Sequence, residues 1–216
     1  MNTIEFITLI EPSTKKDESS ELTPVGTSLT NPVEWDVYQK KELSKNYLKF
    51  PEPVSQGVYQ YRLFDVSLDD LEKMITVHIG DTNINKSLSL FGGYAISLNG
   101  NIELFPQCCA LLQEIQDWKN ILQDEFDDFY LKEGHPSPLI TKSNNELIIY
   151  CKDDYETFFP STIKEEIKLD YHETKKAVIK LLQELTDFSK KLNSLSSKFG
   201  VENLSNIMIW GNNENK

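Results

Sequence analysis

Cys108 and Cys109 stand side by side, Cys151 is alone, and His78, His135 and His172 lie dozens of residues apart. These are the side chains best able to hold an ion or attack an electrophile. A zinc centre usually draws its ligands from spaced pairs such as CxxC or HExxH, because intervening residues let two side chains turn onto one ion. Neither spacing occurs, so the pattern predicts no metal and no cofactor. Nucleophilic chemistry at a cysteine needs a thiolate and an oriented base. A helix N-terminus at the cysteine pair would lower a thiol pKa, yet no base stands beside it in the chain. The pair therefore reads as small apolar thiols packed at the start of a helix. Gly92-Gly93 precedes a strand and no lysine follows in the place a phosphate loop requires, so it reads as a turn. Asp153, Asp154 and Glu156 lack the PD and ExK arrangement of a metal-dependent nuclease and read as turn acids. No residue is assigned a catalytic role.

Charge carries more information. Acids number 34 against 22 Lys and Arg, a net charge of -12. Between Asp65 and Glu156 stand 17 acids and 6 bases, so nearly all of the excess is central. Such a balance disfavours nucleic acid and anionic membrane surfaces and favours a basic partner. The aromatic residues Tyr150, Tyr155, Phe158 and Phe159 are interleaved with acids, the reverse of an RNA-binding pattern. The sharpest cluster is Asp124, Glu125, Asp127 and Asp128, expected in the last turns of a helix, where the macrodipole already presents partial negative charge. Local stability does not explain acids placed there. They, with Asp117, are read as a partner-binding surface, where long-range attraction raises encounter rates and nearby aromatic side chains supply affinity.

The elements that must position these residues follow from periodicity. Ile4 to Ile10 reads as a strand, residues 11–32 as a flexible loop rich in Ser, Thr, Pro and charge, and Glu34 to Leu48 as a short helix stopped by Pro51 and Pro53. Val58 to Val66 alternates as a half-buried strand. Ser67 to Asp70 resembles a capping box opening a short helix, after which the β-branched run Met74 to Ile79 reads as a strand closed by Gly80-Asp81. Tyr94 to Leu98 and Ile102 to Phe105 form a hairpin around Asn99-Gly100. Leu111, Leu112, Ile115, Trp118, Ile121, Leu122, Phe126 and Phe129 recur three and four apart and predict a helix from about 108 to 132. Leu147 to Cys151 is apolar throughout and reads as a central strand. Tyr171 to Phe199 predicts a long amphipathic helix ended by Gly200, and Ile207 to Trp210 an edge strand.

The stretch GNIELFPQCCALLQEIQDW, with Gly100, Pro106, Gln107, Cys108, Cys109, Leu112, Ile115 and Trp118, followed by Gly134-His135-Pro136 and a strand and acids ending at Tyr155, resembles bacterial immunity proteins of polymorphic toxin systems. The likeness covers residues 91–159. Where that pattern carries Gly-Asp after the cysteine pair, this chain has Ala110-Leu111. The resemblance implies a protein that binds and neutralises a cognate toxin, often a basic one, without catalytic residues, and a structural role for the cysteine pair in seating a helix behind Ile102 to Phe105.

The expectation is thus a single α+β domain over residues 1–216, a mostly antiparallel sheet packed against two long amphipathic helices. Its start, MNTIEFITLIEP, lacks the basic region of a signal peptide, and no window approaches the roughly 18 apolar residues of a spanning helix. With an odd, partly adjacent set of cysteines unsuited to disulfides, a cytoplasmic protein is expected. The expected function is immunity-type binding of a toxin through the acidic surface. A metal-assisted hydrolase and a regulatory or scaffold module unrelated to toxins are the alternatives.

Overall fold

The apolar run Ile4–Ile10 becomes strand β1 and is flanked on both sides, by β2 (Tyr61–Arg62) and by β3 (Gly92–Leu98). With β4 (Asn101–Leu104) these make an antiparallel sheet of order β2-β1-β3-β4. A second antiparallel sheet runs in chain order through β5 (Phe129–Tyr130), β6 (Leu139–Ser143), β7 (Glu146–Tyr150) and β8 (Glu166–Asp170). The helices are α1 (Pro32–Asn46), α2 (Leu68–Ile79), α3 (Ile115–Trp118), α4 (Tyr171–Leu192) and α5 (Leu204–Met208). The chain is therefore α+β. The computed structural model describes residues 3–13, 23–28, 30–123, 125–132 and 134–211. Of the loop expected at 11–32, residues 14–22 and 29 lie outside the described residues, and α1 starts at Pro32, two residues earlier than expected. Among the described residues no helix is long and apolar enough to cross a membrane.

The first sheet is buried on both faces. Phe6, Ile10, Tyr94, Ile96 and Leu104 belong to the main core, while Leu9, Ala95, Val58 and Phe105 form a smaller cluster on the other side. Gly92 and Gly93 are not a turn: they are the buried first residues of β3, paired with Ile10 and Leu9. A methyl group built on Gly92, whose φ is 144°, would come 2.1 Å from the Leu9 carbonyl oxygen, so the ladder closes at this end only because no side chain is present. The hairpin at Asn99-Gly100 forms as expected, with φ 54° and 84°, the left-handed pair that a two-residue turn requires.

The second sheet packs one face into the core; on the other face Ile148 is buried among exposed or half-buried neighbours. Ile140, Ile149 and Ile167 lie in register and face the core with Leu147 and Leu169. Helix α4 places Val178, Leu181, Leu185, Phe188 and Leu192 on one stripe and packs against β1 of the first sheet and against β7 and β8 of the second. Its start is capped by Asp170, whose carboxylate accepts from the Glu173 N–H at 2.9 Å. The 3-10 stretch Asn193–Phe199 extends it to Gly200, left-handed at φ 68°.

Several expectations are corrected. The expected helix over 108–132 is a shorter composite rod: a 3-10 turn at Leu112–Glu114, α3, and a 3-10 turn at Lys119–Leu122. Its fully buried residues Leu112, Ile115, Trp118 and Ile121 are spaced three apart, which is the period of a 3-10 helix, where side chains eclipse every third residue. The Tyr171 hydroxyl closes the rod at the carbonyls of Ile121 and Gln123, 3.0 and 2.7 Å away. Met74 to Ile79 is the second half of α2 rather than a strand, because Ser67 caps the helix at the Asp70 N–H and Leu71, Met74 and Ile75 make a helical stripe that overrides β-branching. Asp70 reaches back to Ser67, but its Oδ2 accepts from the Ser67 hydroxyl at 3.0 Å and not from its backbone N–H. Fully buried, it accepts from the Leu48 and Lys49 N–H groups at 2.9 and 3.3 Å and so pins the end of α1 to the start of α2. Val58 to Val66 joins the sheet only at Tyr61–Arg62, with Val58 in a local bridge to Ser55, before turning into a 3-10 segment at Leu63–Asp65. Ile207 to Trp210 is not a strand, since Asn203 caps α5 there.

Replacing Gly92 with Ala should cost about 2–4 kcal/mol, because backbone must move to admit the methyl group. Gly100→Ala meets nothing within 4 Å and should cost only about 1–2 kcal/mol through its left-handed backbone alone. Urea unfolding of both variants measures the difference, and equal losses would refute the close approach as the reason for Gly92.

Candidate functional site

The segment Pro106 to Ala110 is held by two buried glutamines. Gln60 Nε2 donates to the Pro106 carbonyl at 2.9 Å and to Glu11 Oε1 at 2.8 Å. Gln107 Nε2 donates to the carbonyls of Phe105 and Phe159 at 2.7 and 2.9 Å, and its Oε1 accepts from the Phe159 N–H at 2.8 Å. Gln107, a buried amide with all its polar atoms satisfied, is a rigid joint. It fixes the chain after β4 to the segment that leads into β8. The Ala110 N–H then returns to the Gln107 carbonyl at 3.1 Å, closing a tight turn in which Cys109 is left-handed at φ 64°.

That turn presents the cysteine pair outward. Cys108 and Cys109 are exposed, their sulfurs 3.5 Å apart, and no helix begins there, so the expected seating of a helix by buried thiols is corrected. The backbone of Cys108 bridges that of His135, with the His135 N–H donating to the Cys108 carbonyl at 3.0 Å. The ligand atoms of Cys108, Cys109 and His135 consequently all lie within 4.8 Å of one another. His135 Nδ1 is also 3.1 Å from Glu156 Oε2. Glu156 is itself held by a turn in which Asp153 Oδ1 accepts from the Tyr155 and Glu156 N–H groups at 2.8 and 3.0 Å. A histidine expected to be isolated thus joins the cysteine pair, across a long stretch of chain that no local motif spans.

Electrostatics argue against a nucleophilic thiolate here. The Cys108 thiol is pushed up, first by its hydrogen bond with Cys109, then by burial and by the negative charges of Glu11 and Glu156. The expected depression by a helix N-terminus has no helix to supply it. Burial also raises the Glu11 carboxyl, against the opposing hydrogen bond from Gln60. Cys151, on the core side of the second sheet, is pushed up to about 12 by burial and is inert at neutral pH.

The acidic residues lie elsewhere. Asp124 lies outside the described residues. Asp117 is half-buried in α3 and its Oδ2 lies 3.5 Å from the Lys132 N–H, an inward tie to the returning chain. Glu125, Asp127 and Asp128 are exposed, but on the loop that follows the rod, not in the last turns of a helix. The unfavourable end of a helix dipole is avoided because the rod has already stopped at Leu122. Phe126 and Phe129 anchor this loop, their ring centroids 5.8 Å apart, with Phe126 also 6.2 Å from Tyr171. The loop lines an open depression of about 610 Å³ with Asn120 and Gln123. The nearby lysines of α4 are engaged locally, Lys176 with Glu173 and Lys175 over the Tyr171 ring.

The acidic loop leads directly into a surface that sequence reasoning missed. Tyr130, Leu139, Tyr150 and Glu166 are consecutive partners across β5 to β8 and share the outer face of the second sheet. Tyr130 and Tyr150 are 56 % and 37 % exposed. In the next row Lys168 pairs with Glu166 at 2.9 Å, so the cation on this face is neutralised. Period-two alternation in IKLD held part of the signal, but ELIIY is apolar without alternation, and the row is defined only by pairing between strands.

Comparison of the chain with protein-family models, with curated proteins and with solved structures gives no match.

Truncating Gln107 to Ala leaves the Phe159 N–H without its acceptor inside the structure and should cost about 1–3 kcal/mol. Hydrogen exchange should show the Phe159 amide losing protection, while amides of α2 keep theirs. Unchanged exchange at Phe159 would refute the joint.

Proposed function

We propose that the protein is a binding protein of the immunity type, which holds a basic protein toxin on the outer face of the second sheet and the adjoining acidic loop. The observation that carries the reading is the cross-strand row Tyr130, Leu139 and Tyr150, in which both tyrosines are exposed, with the exposed acids Glu125, Asp127 and Asp128 in the loop that leads into Tyr130. Tyrosine offers a large, stiff contact area with a polar tip, and hot spots at protein interfaces are enriched in it. A rim of one charge sign steers a partner of the opposite sign and raises the association rate. An antiparallel sheet covered on one face only leaves the other free for such contact. The assignment of the partner as a toxin rests on the likeness over residues 91–159 and on the central acidity. In this reading the bound protein occludes the active site of the toxin or its access to substrate.

The decisive partner is the product of the neighbouring open reading frame, if its expression kills cells that lack this protein. With that protein in hand, Tyr130→Ala and Tyr150→Ala should each raise Kd by roughly 30-fold or more, chiefly through faster dissociation. The combined change Glu125→Gln, Asp127→Asn and Asp128→Asn should slow association and flatten its dependence on salt, leaving dissociation nearly unchanged. Wild-type affinity and salt dependence in both sets would place the interface elsewhere.

A further inference from the structure

We propose that Cys108, Cys109 and His135 form a binding site for a thiophilic d10 cation, zinc(II) being the ion of choice, with Glu156 as the group that orients the histidine. The inference is independent of any toxin, since the site is built by the Gln107 joint and the Cys108–His135 bridge. Two sulfurs bound at about 2.3 Å to one tetrahedral zinc ion lie about 3.8 Å apart, and a sulfur and an imidazole nitrogen about 3.6 Å apart. The observed sulfur separation is 3.5 Å, and all three ligand atoms lie within 4.8 Å of one another. Rotation of exposed side chains covers the remainder.

Adjacent cysteines ordinarily diverge. Here the left-handed backbone of Cys109, at φ 64°, makes within the pair the reversal that CxxC obtains from two intervening residues. The histidine is prepared as well. With Nδ1–H given to Glu156 Oε2 at 3.1 Å, the lone pair resides on Nε2, and a carboxylate behind a ligating imidazole fixes its tautomer and increases its basicity. Three protein ligands leave the fourth position for water. On binding, both thiols lose their protons to solvent and two sulfur–zinc bonds form, with no change of oxidation state. The ion would tie the turn after β4 to the segment before β6, where a backbone hydrogen bond joins His135 to Cys108.

The test uses the full chain, reduced, titrated with zinc(II) against a chromophoric chelator, and cobalt(II) as a spectroscopic substitute. One ion per chain with Kd of about 1 μM or tighter is expected. Cobalt should give thiolate-to-metal charge-transfer absorption and the intense visible bands of a tetrahedral site. Cys109→Ser and His135→Ala should each weaken zinc binding by about 100-fold or more, and Glu156→Gln by about 10–100-fold, the range for an outer-shell partner. Cys151→Ser should leave it unchanged. Absence of zinc binding by the wild-type chain, octahedral cobalt without thiolate absorption, or full retention of zinc in both Cys109→Ser and His135→Ala would each overturn the proposal. The cobalt spectrum of the wild-type chain decides even where a variant fails to fold.

Discussion

One amphipathic helix has to serve two sheets. Helix α4 lies against β1 in the first sheet and against β7 and β8 in the second, and its stripe from Val178 to Leu192 joins one continuous core. Neither sheet is closed, so each must cover an apolar face, and removing that face from water is what chiefly stabilises such an arrangement. Because the cover is shared, the sheets cannot shift independently. The composite rod at Leu112 to Leu122 fills the space beside α4, with Trp118 fully buried and its ring 4.9 Å from Phe6 of β1. The Tyr171 hydroxyl at the start of α4 then ends the rod, so the same helix sets where the acidic loop begins.

Within that frame, polar joints place the surface features. Asp70 fastens α1 to α2, Gln60 fastens Pro106, and Gln107 fastens Phe105 to Phe159. Each is a buried side chain reaching backbone groups far away in sequence. Buried polar groups of this kind contribute little net stability when satisfied and cost several times more when broken, so they act on register and orientation more than on total stability. The turn carrying Cys108 and Cys109 is a product of two such joints. Its exposure is therefore imposed by the frame, not a default of a small apolar residue.

The two surfaces differ in what makes them. The outer face of the second sheet is left largely open because α4 covers the other side, so Tyr130 and Tyr150 are exposed, with acids in the loop before β5. The Cys108, Cys109 and His135 group exists because a backbone bridge brings two distant turns together, with Glu156 supported behind the histidine by the Asp153 turn. One is a broad surface suited to a protein, the other a compact group of soft ligands suited to an ion.

Much of the fold is legible in the sequence. Alternation in Ile4 to Ile10, the Asn99-Gly100 turn, the apolar run at Leu147, and the long stripe ended by Gly200 each depend on a few neighbouring residues and form as their patterns predict. Local reading fails where tertiary contacts choose between near-equal options. The stripe at 108–132 fits α and 3-10 periods almost equally, and only packing against β1 and α4 settles the shorter rod. Gly92-Gly93 reads as a turn unless the approach of Leu9 is known. The acidity of the middle segment is a property of composition and is visible at once, but whether those acids lie on a helix or a loop is not. The chain alone thus determined the α+β class, the hairpin, α4 and the charge. Tertiary structure decided that Cys108, Cys109 and His135 converge and that Tyr130 and Tyr150 align, because bridges and register between distant segments are set by the shared core and not by spacing along the chain.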